Sequence, residues 1–241
     1  MKKSYLPQFI QSRIGNLDIF SIFDPLIKEE TQWLFLFELR RQVFHILYGL
    51  GVCFLIFLLG NIMLLFFVVA IPIGLILSLL VLKGYRVPFI TRMLNIFDRQ
   101  EDIDVLPGKG AITFSTGAAI TLFFFPNYAL VGILVLAISD SFSTLVGKKW
   151  GKHHWRKEET EGKTLEGSTG FFICTFIIII VSVWFILPIS LSDLLLTLFI
   201  TLFMSIIATM SELQSYIDDN LVIPFVVAGL LFLFNQLLIF R

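Results

Sequence analysis

The stretch IMLLFFVVAIPIGLILSLLVL, from Ile62 to Leu82, is 21 residues long and contains no charged residue. A helix of about 20 apolar residues can cross the hydrocarbon core of a bilayer, where every backbone polar group must be bonded without water. Similar stretches recur along the chain, 57% of its 241 residues are apolar, and its mean hydropathy is +0.89. This composition excludes an ordinary soluble domain.

Seven stretches are apolar and long enough to be membrane spans, and together they predict an all-α, polytopic transmembrane helical bundle. The third stretch is short, and the fourth contains an acidic residue. The predicted spans are Val43 to Leu59, Ile62 to Leu82, Ala111 to Phe125, Tyr128 to Val146, Phe171 to Leu187, Leu191 to Met210, and Leu221 to Phe240.

The residues before the first span form a segment of different character. Residues 1–41 mix Phe, Ile and Leu with charged side chains and lack a continuous apolar core. This mixture favours a segment at the membrane surface and does not fit a secretory signal peptide. We therefore expect an N-terminal cytoplasmic or interfacial segment over residues 1–41 and a single transmembrane domain over residues 42–241.

The distribution of positive charge predicts the orientation of the chain. Of the 18 Lys and Arg residues, six precede the first span, five lie at 83–109, six lie at 148–163, and the last is Arg241. With seven spans and a cytoplasmic N-terminus, the first three of these segments, which hold 17 of the 18 basic residues, face the cytoplasm, as the positive-inside rule requires. The polar segments then converge on the side of the membrane where soluble nucleotides are found.

The most polar stretch is SDSFSTLVGKKWGKHHWRKEETEGKTLEGSTG, from Ser139 to Gly170. It combines glycines, which let backbone N–H groups approach an anion, with lysines, which attract phosphate. The fragment Gly162-Lys163-Thr164 is not a P-loop, because Lys157 stands where that motif needs its first glycine. The stretch predicts either a phosphate-binding loop or a basic loop that only fixes topology.

Asp140 lies inside the predicted fourth span. A carboxylate in a membrane span costs about 3 kcal/mol on insertion scales and usually faces a cavity or a partner. One alternative to a functional role is a salt bridge to Lys148 or Lys149, about two helical turns later. We expect the functional role.

A second acidic cluster is SELQSYIDDNLVIP, which begins at Ser211. Glu212, Asp218, Asp219 and Asn220 carry the hard oxygen ligands that suit Mg²⁺ shared with substrate phosphates. The alternative is structural, because Asp219 or Asn220 could simply cap the last span.

A third cluster, ELRRQVFHILYG, covers residues 38–49. If it is helical, Glu38, Arg41 and His45 share one face, because they are three and four residues apart. A single histidine in such a position is more often packed or hydrogen-bonded than catalytic, and we keep that interpretation for His45 as the default.

Four segments, taken in order, resemble the polyprenol kinase family: ELRRQVFH, NIFDRQED followed by PGKGAITF, SDSFSTLVGKKWGK with EGKTLEGSTGFF, and SELQSYIDDNLVIP. The family includes dolichol kinase, phytol kinase and the CTP-dependent diacylglycerol kinase, and it is distantly similar to phosphatidate cytidylyltransferase. The resemblance extends from about Glu38 to the last span. Its specific parts are the block from Asp140 to Gly167 and the late acidic triplet followed by Pro224.

The resemblance implies a membrane enzyme, with residues 42–241 as its catalytic domain. Such an enzyme transfers the γ-phosphoryl group of a nucleotide, CTP in preference to ATP, to the hydroxyl of a lipid alcohol such as diacylglycerol or a polyprenol. It also implies Mg²⁺ or a similar divalent cation. The expected partners are a membrane lipid and a nucleotide, with no nucleic acid, and the oligomeric state is open.

The matching positions imply roles for individual residues, and we add neighbours at the same interface. The catalytic residues are Asp140, Lys148 and Lys163; the nucleotide-binding residues are Gly147, Gly151, Lys152, Glu166, Gly167, Ser168 and Arg99; the metal ligands are Asp218, Asp219 and Asn220; and the accessory residues are Glu38, Arg41, His45 and Glu212. Two positions depart from the family pattern, since Gln42 stands where Lys is common and Ser139 where Gly often precedes the Asp.

Two other functions remain open. A cytidylyltransferase would condense CTP with phosphatidate and release pyrophosphate, using similar metal-binding and basic groups. A transporter or membrane scaffold would turn over no nucleotide. Most predicted spans lack charge at mid-membrane, which argues against an ion pathway.

Overall fold

The computed structural model describes residues 20–155, 162–186, 194–214 and 216–239, and this part of the chain is helical and contains no β-strand. Residues 1–19 of the expected interfacial segment, residues 187–193 around the junction of the predicted fifth and sixth spans, and residues 156–161 of the basic loop lie outside it. The helices are α1 (Phe20–Leu59), α2 (Met63–Leu82), α3 (Pro88–Phe97), α4 (Gln100–Val105), α5 (Lys109–Phe124), α6 (Ala129–Val135), α7 (Ser141–Trp150), α8 (Leu165–Ile186), α9 (Leu194–Leu213) and α10 (Asp219–Ile239).

The chain divides into two compact units, Met1–Glu38 and Leu39–Arg241. The first unit contains the beginning of α1. All the contacts and cavities described below belong to the second unit.

Five helical stretches of the described chain are long and apolar enough to cross a membrane: Leu34–Leu82, Ala129–Trp150, Leu165–Phe185, Leu194–Leu213 and Asp219–Gln236. The prediction of an all-helical membrane protein is therefore confirmed. The count of seven spans and the cytoplasmic N-terminus stay predictions. Within Leu34–Leu82, a short 3₁₀ turn (Gly60–Ile62) separates α1 from α2.

Large apolar side chains cover the outside of the helices. Phe57 is 75% exposed, Val68 69% and Phe185 84%, each in the middle or at the end of an apolar helix. Exposed apolar surface on this scale would aggregate in water, and it is the surface that a bilayer covers. The chain is an integral membrane protein.

The most deeply buried element is α6 with the π-helical segment Leu136–Asp140 that follows it. Ile133, Val135 and Leu136 have no exposed surface. This element packs against α5, α8 and α10, and α8 and α9 continue the bundle. Pairs of backbones approach closely at glycines, as is common between membrane helices.

Gly132 of α6 provides one of the tightest of these approaches. A Cβ at Gly132 would overlap the backbone carbonyl of Pro224 in α10. Gly117 of α5 faces the backbone of Asn220, at the start of α10, in the same way. These two glycines therefore set the position of the first turns of α10, which carry the late acidic cluster.

A short loop orders the beginning of α5. Asp98 ends α3, and its Oδ2 accepts a hydrogen bond of 2.6 Å from the backbone N–H of Gly108, whose φ is +77°. Burial raises the pKa of Asp98 above its usual range, although the Gly108 N–H favours the charged form. A side chain at Gly108 would be strained in this left-handed conformation. The bond holds the α3–α4 junction beside the N-terminus of α5.

Replacing Gly132 with Ala tests the contact between α6 and α10. The added methyl group cannot fit without moving a backbone, so we expect the free energy of unfolding to fall by about 1–3 kcal/mol. Gly51→Ala is the matched control, because a Cβ at Gly51 meets nothing within 4 Å. Thermal unfolding in detergent measures both. A Tm for Gly132→Ala as high as that of Gly51→Ala would contradict the packing.

Candidate active site

A polar cavity of about 130 Å³ lies where α1, the α3–α4 junction, α5, the end of the π-helical segment and α10 meet. It brings together residues from all four sequence segments that carry the family resemblance. Its lining consists of Arg41, Gln42, Phe44, His45, Tyr48, Phe97, Asp98, Arg99, Asp102, Gly110, Ala111, Phe114, Asp140 and Asn220. The cavity is smaller than the 300–1,000 Å³ of most ligand pockets, so it can hold a phosphoryl group but not a whole nucleotide.

Asp140 is the last residue of the π-helical segment and contributes to the cavity wall. Single π-type turns inside longer helices are frequent at functional sites. No ion pair joins Asp140 to Lys148 or Lys149 in the described chain, where the Lys149 ammonium instead lies 4.6 Å from the centre of the Trp150 ring. The alternative interpretation of Asp140 as one half of a local salt bridge is therefore not supported.

His45 also lines this cavity. Its ring packs edge-on against Phe114, with 5.1 Å between ring centres. Its Nε2 atom is buried and has no hydrogen-bond partner among the described residues. The charges of Asp140 and Asp218 both act on this ring. A buried polar atom without a partner is costly, so the Nε2 position is suited to a group that arrives with a substrate.

Lys163 forms a second polar cluster with the ends of α9 and α10. Its Nζ donates to Asp219 Oδ2 at 2.7 Å and to the backbone carbonyl of Glu212, and it lies 3.5 Å from Glu212 Oε1. The carbonyl of Glu212 is one of the last in α9 and has no partner within that helix, so Lys163 also caps the helix. Asp140 acts electrostatically on Lys163 as well.

The pKa of Lys163 follows from these contacts. Burial alone would lower it, but the carboxylates of Glu212 and Asp219 outweigh the burial, and the pKa is raised above its usual range. The Lys163 side chain is only 19% exposed. We therefore expect the ammonium to stay charged throughout the physiological pH range.

The turn before α8 directs Lys163 inward. Backbone hydrogen bonds join Trp155 N–H to Lys163 O and Leu165 N–H to His153 O. Thr164 then caps α8, because its Oγ1 accepts from the backbone N–H of Gly167 at 3.1 Å. Together these bonds fix the backbone on both sides of the lysine.

Glu212 is buried at the end of α9, with 3% of its surface exposed. The hydroxyl groups of Ser143 and Ser168 each donate to its carboxylate at 3.4 Å. The cluster therefore holds Ser168 and Glu212 together with Lys163 and Asp219, all of which we had assigned to the site from the sequence.

The glycines of the central segment lie in a helix contact. A Cβ at Gly147 would come within 2.9 Å of Thr164 Oγ1, and a Cβ at Gly167 would lie 3.3 Å from the Cα of Gly147. Gly151 faces the same threonine. In this structure the three glycines allow α7 and the start of α8 to touch; their predicted role in binding phosphate stays a prediction.

Three further predicted residues, Lys148, Lys152 and Glu166, lie outside both polar clusters. Lys148 and Lys152 are exposed to solvent. Glu166 bonds to His153, with 2.7 Å between Oε1 and Nδ1. Glu38 belongs to the first unit.

The late acidic residues have separate partners. Asp218 Oδ2 lies 3.8 Å from the Lys109 ammonium, and its Oδ1 accepts from the backbone N–H of Asn220. The side-chain amide of Asn220 donates to Thr113 Oγ1 at 2.9 Å. The cap of α10 is therefore Asp218, and not Asp219 or Asn220 as the structural alternative had it, while Asn220 also lines the cavity. The role of these residues as metal ligands stays a prediction.

The described residues contain no group of three His, Cys, Asp or Glu side chains suited to a metal ion. Mg²⁺ does not need such a group, because it commonly takes one or two carboxylates and completes its shell with phosphate oxygens and water. Asp140 and Asn220 both line the cavity and carry hard oxygen ligands of this kind, whereas Asp219 is bonded to Lys163. The residues present therefore suit Mg²⁺ that is shared with a phosphorylated substrate.

Several residues of the site had no recognisable signal in the sequence. Tyr48, Ser115, Thr113 and Ser143 are single polar residues in apolar helices, and only the fold shows their partners. Asp98 could have been found, because it lies in NIFDRQED and directly precedes the predicted Arg99.

Replacing Lys163 with Met keeps the apolar stem but leaves two carboxylates without their cation. We expect the free energy of unfolding to fall by about 3 kcal/mol, as for other broken buried pairs. Because the folded state raises the pKa of Lys163, its contribution is fully present below about pH 10 and decreases as the pH rises further. The Tm difference from wild type should therefore be constant from neutral pH to about pH 10 and shrink above it.

Lys149→Met is the control for this experiment, because Lys149 is exposed and contacts only the neighbouring Trp150 ring in the described chain. It should leave Tm nearly unchanged. Equal Tm values for Lys163→Met and Lys149→Met at neutral pH would contradict the role of the lysine in holding α9 and α10 together.

Comparison of the sequence with known proteins identifies relatives of this chain. An uncharacterized protein of Methanocaldococcus jannaschii is 33% identical over 198 residues, which are 79% of this chain and 91% of that protein. The chain matches no protein-family profile and no solved structure.

Two lipid kinases match over shorter regions. The CTP-dependent diacylglycerol kinase 1 of Schizosaccharomyces pombe is 34% identical over 133 residues, or 52% of this chain and 60% of that enzyme. Dolichol kinase of the same organism is 35% identical over 95 residues, or 39% of this chain and 17% of the enzyme. The chain thus spans less than two thirds of either kinase. It belongs to one family with the Methanocaldococcus jannaschii protein, and it is related to the polyprenol and lipid kinases.

Proposed function

We propose that this protein is a membrane lipid kinase, which transfers the γ-phosphoryl group of a nucleotide to the hydroxyl group of a lipid alcohol. The observation that carries the proposal is the polar cavity, which brings together residues from four separate segments of the chain: Arg41 with His45, Arg99, Asp140 and Asn220. The relationship to dolichol kinase and diacylglycerol kinase supports the same activity.

The composition of the cavity suits phosphoryl transfer. Such a reaction needs positioning and neutralisation of charge more than covalent chemistry by the enzyme. Arg41 and Arg99 place guanidinium groups in the wall, and arginine is well matched to the oxygens of a phosphoryl group. The cavity has room for the transferred group, while the rest of the nucleotide would extend outside it.

In the proposed step, the lipid hydroxyl oxygen forms a bond to the γ-phosphorus while the bond from that phosphorus to the β–γ bridging oxygen breaks. The nucleoside diphosphate leaves with the electron pair. Asp140 takes the hydroxyl proton or orients the hydroxyl for attack, because its carboxylate lies in the cavity wall. Arg41 and Arg99 bind the phosphoryl oxygens.

Lys163 has a different role in this proposal from Lys148 and Lys152. Lys163 holds Asp219 and the end of α9 in place beside the cavity. Lys148 and Lys152 are exposed and are available to the α- and β-phosphates of the nucleotide. CTP is the expected donor, as the name of the related diacylglycerol kinase states for that enzyme.

Asp218 would hold Mg²⁺, with Asn220 Oδ1 as a further oxygen ligand. The alternative role for Asp140, in place of acting on the lipid hydroxyl, is that of a third ligand to this ion. When bound, Mg²⁺ neutralises charge on the nucleotide phosphates. Asp219, which the sequence also suggested as a ligand, instead fixes Lys163.

We also propose that the cavity opens to the cytoplasm. Seven spans with a cytoplasmic N-terminus place the basic segments on that side, in agreement with the positive-inside rule. A lipid alcohol then arrives from the bilayer and a nucleotide from the aqueous phase.

A labelling assay tests the proposed activity. The purified protein in detergent is incubated with Mg²⁺, with γ-labelled CTP or ATP, and with diacylglycerol, dolichol, phytol or geranylgeraniol. We expect label in the extracted lipid, which identifies donor and acceptor together. Label that appears only as pyrophosphate, after phosphatidate is supplied, would instead indicate a cytidylyltransferase. No consumption of nucleotide with any acceptor would contradict both enzymatic functions.

Asp140→Asn tests the residue at the centre of the proposal. The amide keeps the size of the side chain but cannot take a proton or neutralise a cation, so we expect turnover to fall by about 10²-fold or more. Asp104→Asn is the control, because Asp104 is exposed and does not line the cavity. Near wild-type turnover by a folded Asp140→Asn protein would contradict the assignment.

A further inference from the structure

A second, apolar cavity adjoins the polar one. It forms a groove of about 450 Å³ between α1, α2 and α5, and none of the described residues that line it is charged. The lining residues that define its course are Leu47, Gly51, Phe66, Gly74, Ile112 and Ser115. Leu47 is 63% exposed and Phe66 55%, so the groove opens onto the apolar outer surface that the bilayer covers. A lipid chain can therefore reach it sideways from the membrane.

The two cavities share part of their walls. Tyr48 and Ala111 line both of them. Tyr48 therefore lies at the junction between the apolar groove and the polar cavity that His45 and Asp140 line. Because Tyr48 and Ser115 are the only polar side chains of the described residues that line the groove, an occupant would be apolar along its length and polar at one end.

The hydrogen bonds at this junction leave an acceptor for a hydroxyl group. Ser115 Oγ donates to the backbone carbonyl of Ala111 at 2.8 Å, so its single proton is used. In the bond of 2.6 Å between Tyr48 and Ser115, the phenol must then be the donor. The phenol oxygen keeps lone pairs that can accept a hydrogen bond. His45 Nε2, which has no partner among the described residues, is a second polar atom for the same hydroxyl.

We propose that the groove between α1, α2 and α5 binds the hydrocarbon chain of the acceptor lipid alcohol, and that Tyr48 and His45 bind its hydroxyl group beside Asp140. This inference rests on the proposed function, because it identifies the acceptor site of the same reaction. The lipid enters sideways from the bilayer, whereas the nucleotide reaches the cavity from water. The two substrates therefore use separate entrances.

The continuity between groove and cavity favours an alcohol over an ordinary bilayer lipid. The groove is lined by no charged residue of the described chain, and the hydrogen-bonding atoms at its Tyr48 end suit a single hydroxyl group. A neutral hydroxyl on an apolar chain suits both parts.

Photolabelling tests binding without requiring turnover. The protein in phosphatidylcholine nanodiscs is irradiated with geranylgeraniol that carries a diazirine on its chain, and labelled peptides are mapped by mass spectrometry. We expect label on α1, α2 and α5 around the groove, and competition by unlabelled geranylgeraniol but not by its methyl ether. Label spread over all exposed helices, or equal competition by the ether, would overturn the proposal.

Gly51→Phe narrows the groove at a position where a side chain meets no neighbour at its base. We expect photolabelling of the groove to fall and the KM for the lipid alcohol to rise by about tenfold or more, with the KM for nucleotide unchanged. Leu58→Phe is the control, because Leu58 is on the same helix, 59% exposed, and outside the groove. Equal behaviour of the two variants would overturn the proposal.

The outcomes separate this inference from the proposed activity. Specific labelling of the groove without phosphoryl transfer would support a lipid-alcohol site and contradict the kinase. Phosphoryl transfer that Gly51→Phe leaves unchanged would support the kinase and overturn this acceptor site. His45→Ala adds a further measurement: it should reduce the discrimination between geranylgeraniol and its methyl ether, which loss of packing alone would not do.

Discussion

The contact of Lys163 with Asp219 and with the end of α9 is the interaction on which the rest of the site depends. Charged groups are costly near a membrane unless they are paired and hydrogen-bonded. One ammonium here joins the turn before α8 to α9 and α10, and Ser143 and Ser168 complete the bonding of Glu212. With α10 held at its first residue, Asp218 and Asn220 come to lie beside the polar cavity.

The close approach of helix backbones also positions the residues of the site. Gly117 and Gly132 allow α10 to lie against α5 and α6, and Gly147 allows α7 to lie against the start of α8. Small residues at these positions let the helix backbones pack closely. In lipid this packing holds helices together, because there is no hydrophobic driving force between their apolar side chains. The bundle is therefore tight where the polar residues gather, while the groove between α1, α2 and α5 stays open.

The sequence predicted the main features of the fold and many residues of the site. A long apolar stretch predicts a membrane helix because a chain inside the bilayer has few other ways to satisfy its backbone hydrogen bonds. Asp140 was expected to be functional because a carboxylate within a span is energetically costly. The residues at Arg41, Arg99 and Asn220 were also singled out, and the structure places them with Asp140 at one cavity.

Other features could not be read from the sequence. The partners of Lys163 lie 49 and 56 residues away, and the charge of a lysine alone suggests phosphate as readily as a carboxylate. Glycines such as Gly147 and Gly167 permit approach of an anion or of another helix, and the sequence alone does not reveal the helix contact that they make in the structure. Tyr48 and Ser115, which are 67 residues apart, form a hydrogen bond that no sequence motif predicts.

The central claim is that a phosphoryl donor and a lipid alcohol meet at Asp140 from two different directions. An experimental structure in nanodiscs with Mg²⁺, a non-hydrolysable CTP analogue and geranylgeraniol tests it most directly. The account predicts γ-phosphate density beside Arg41 and Arg99, and the lipid hydroxyl between Tyr48 and His45 with its chain in the groove. A nucleotide bound along the exposed loop near Lys152, with its γ-phosphate remote from Asp140, would contradict it.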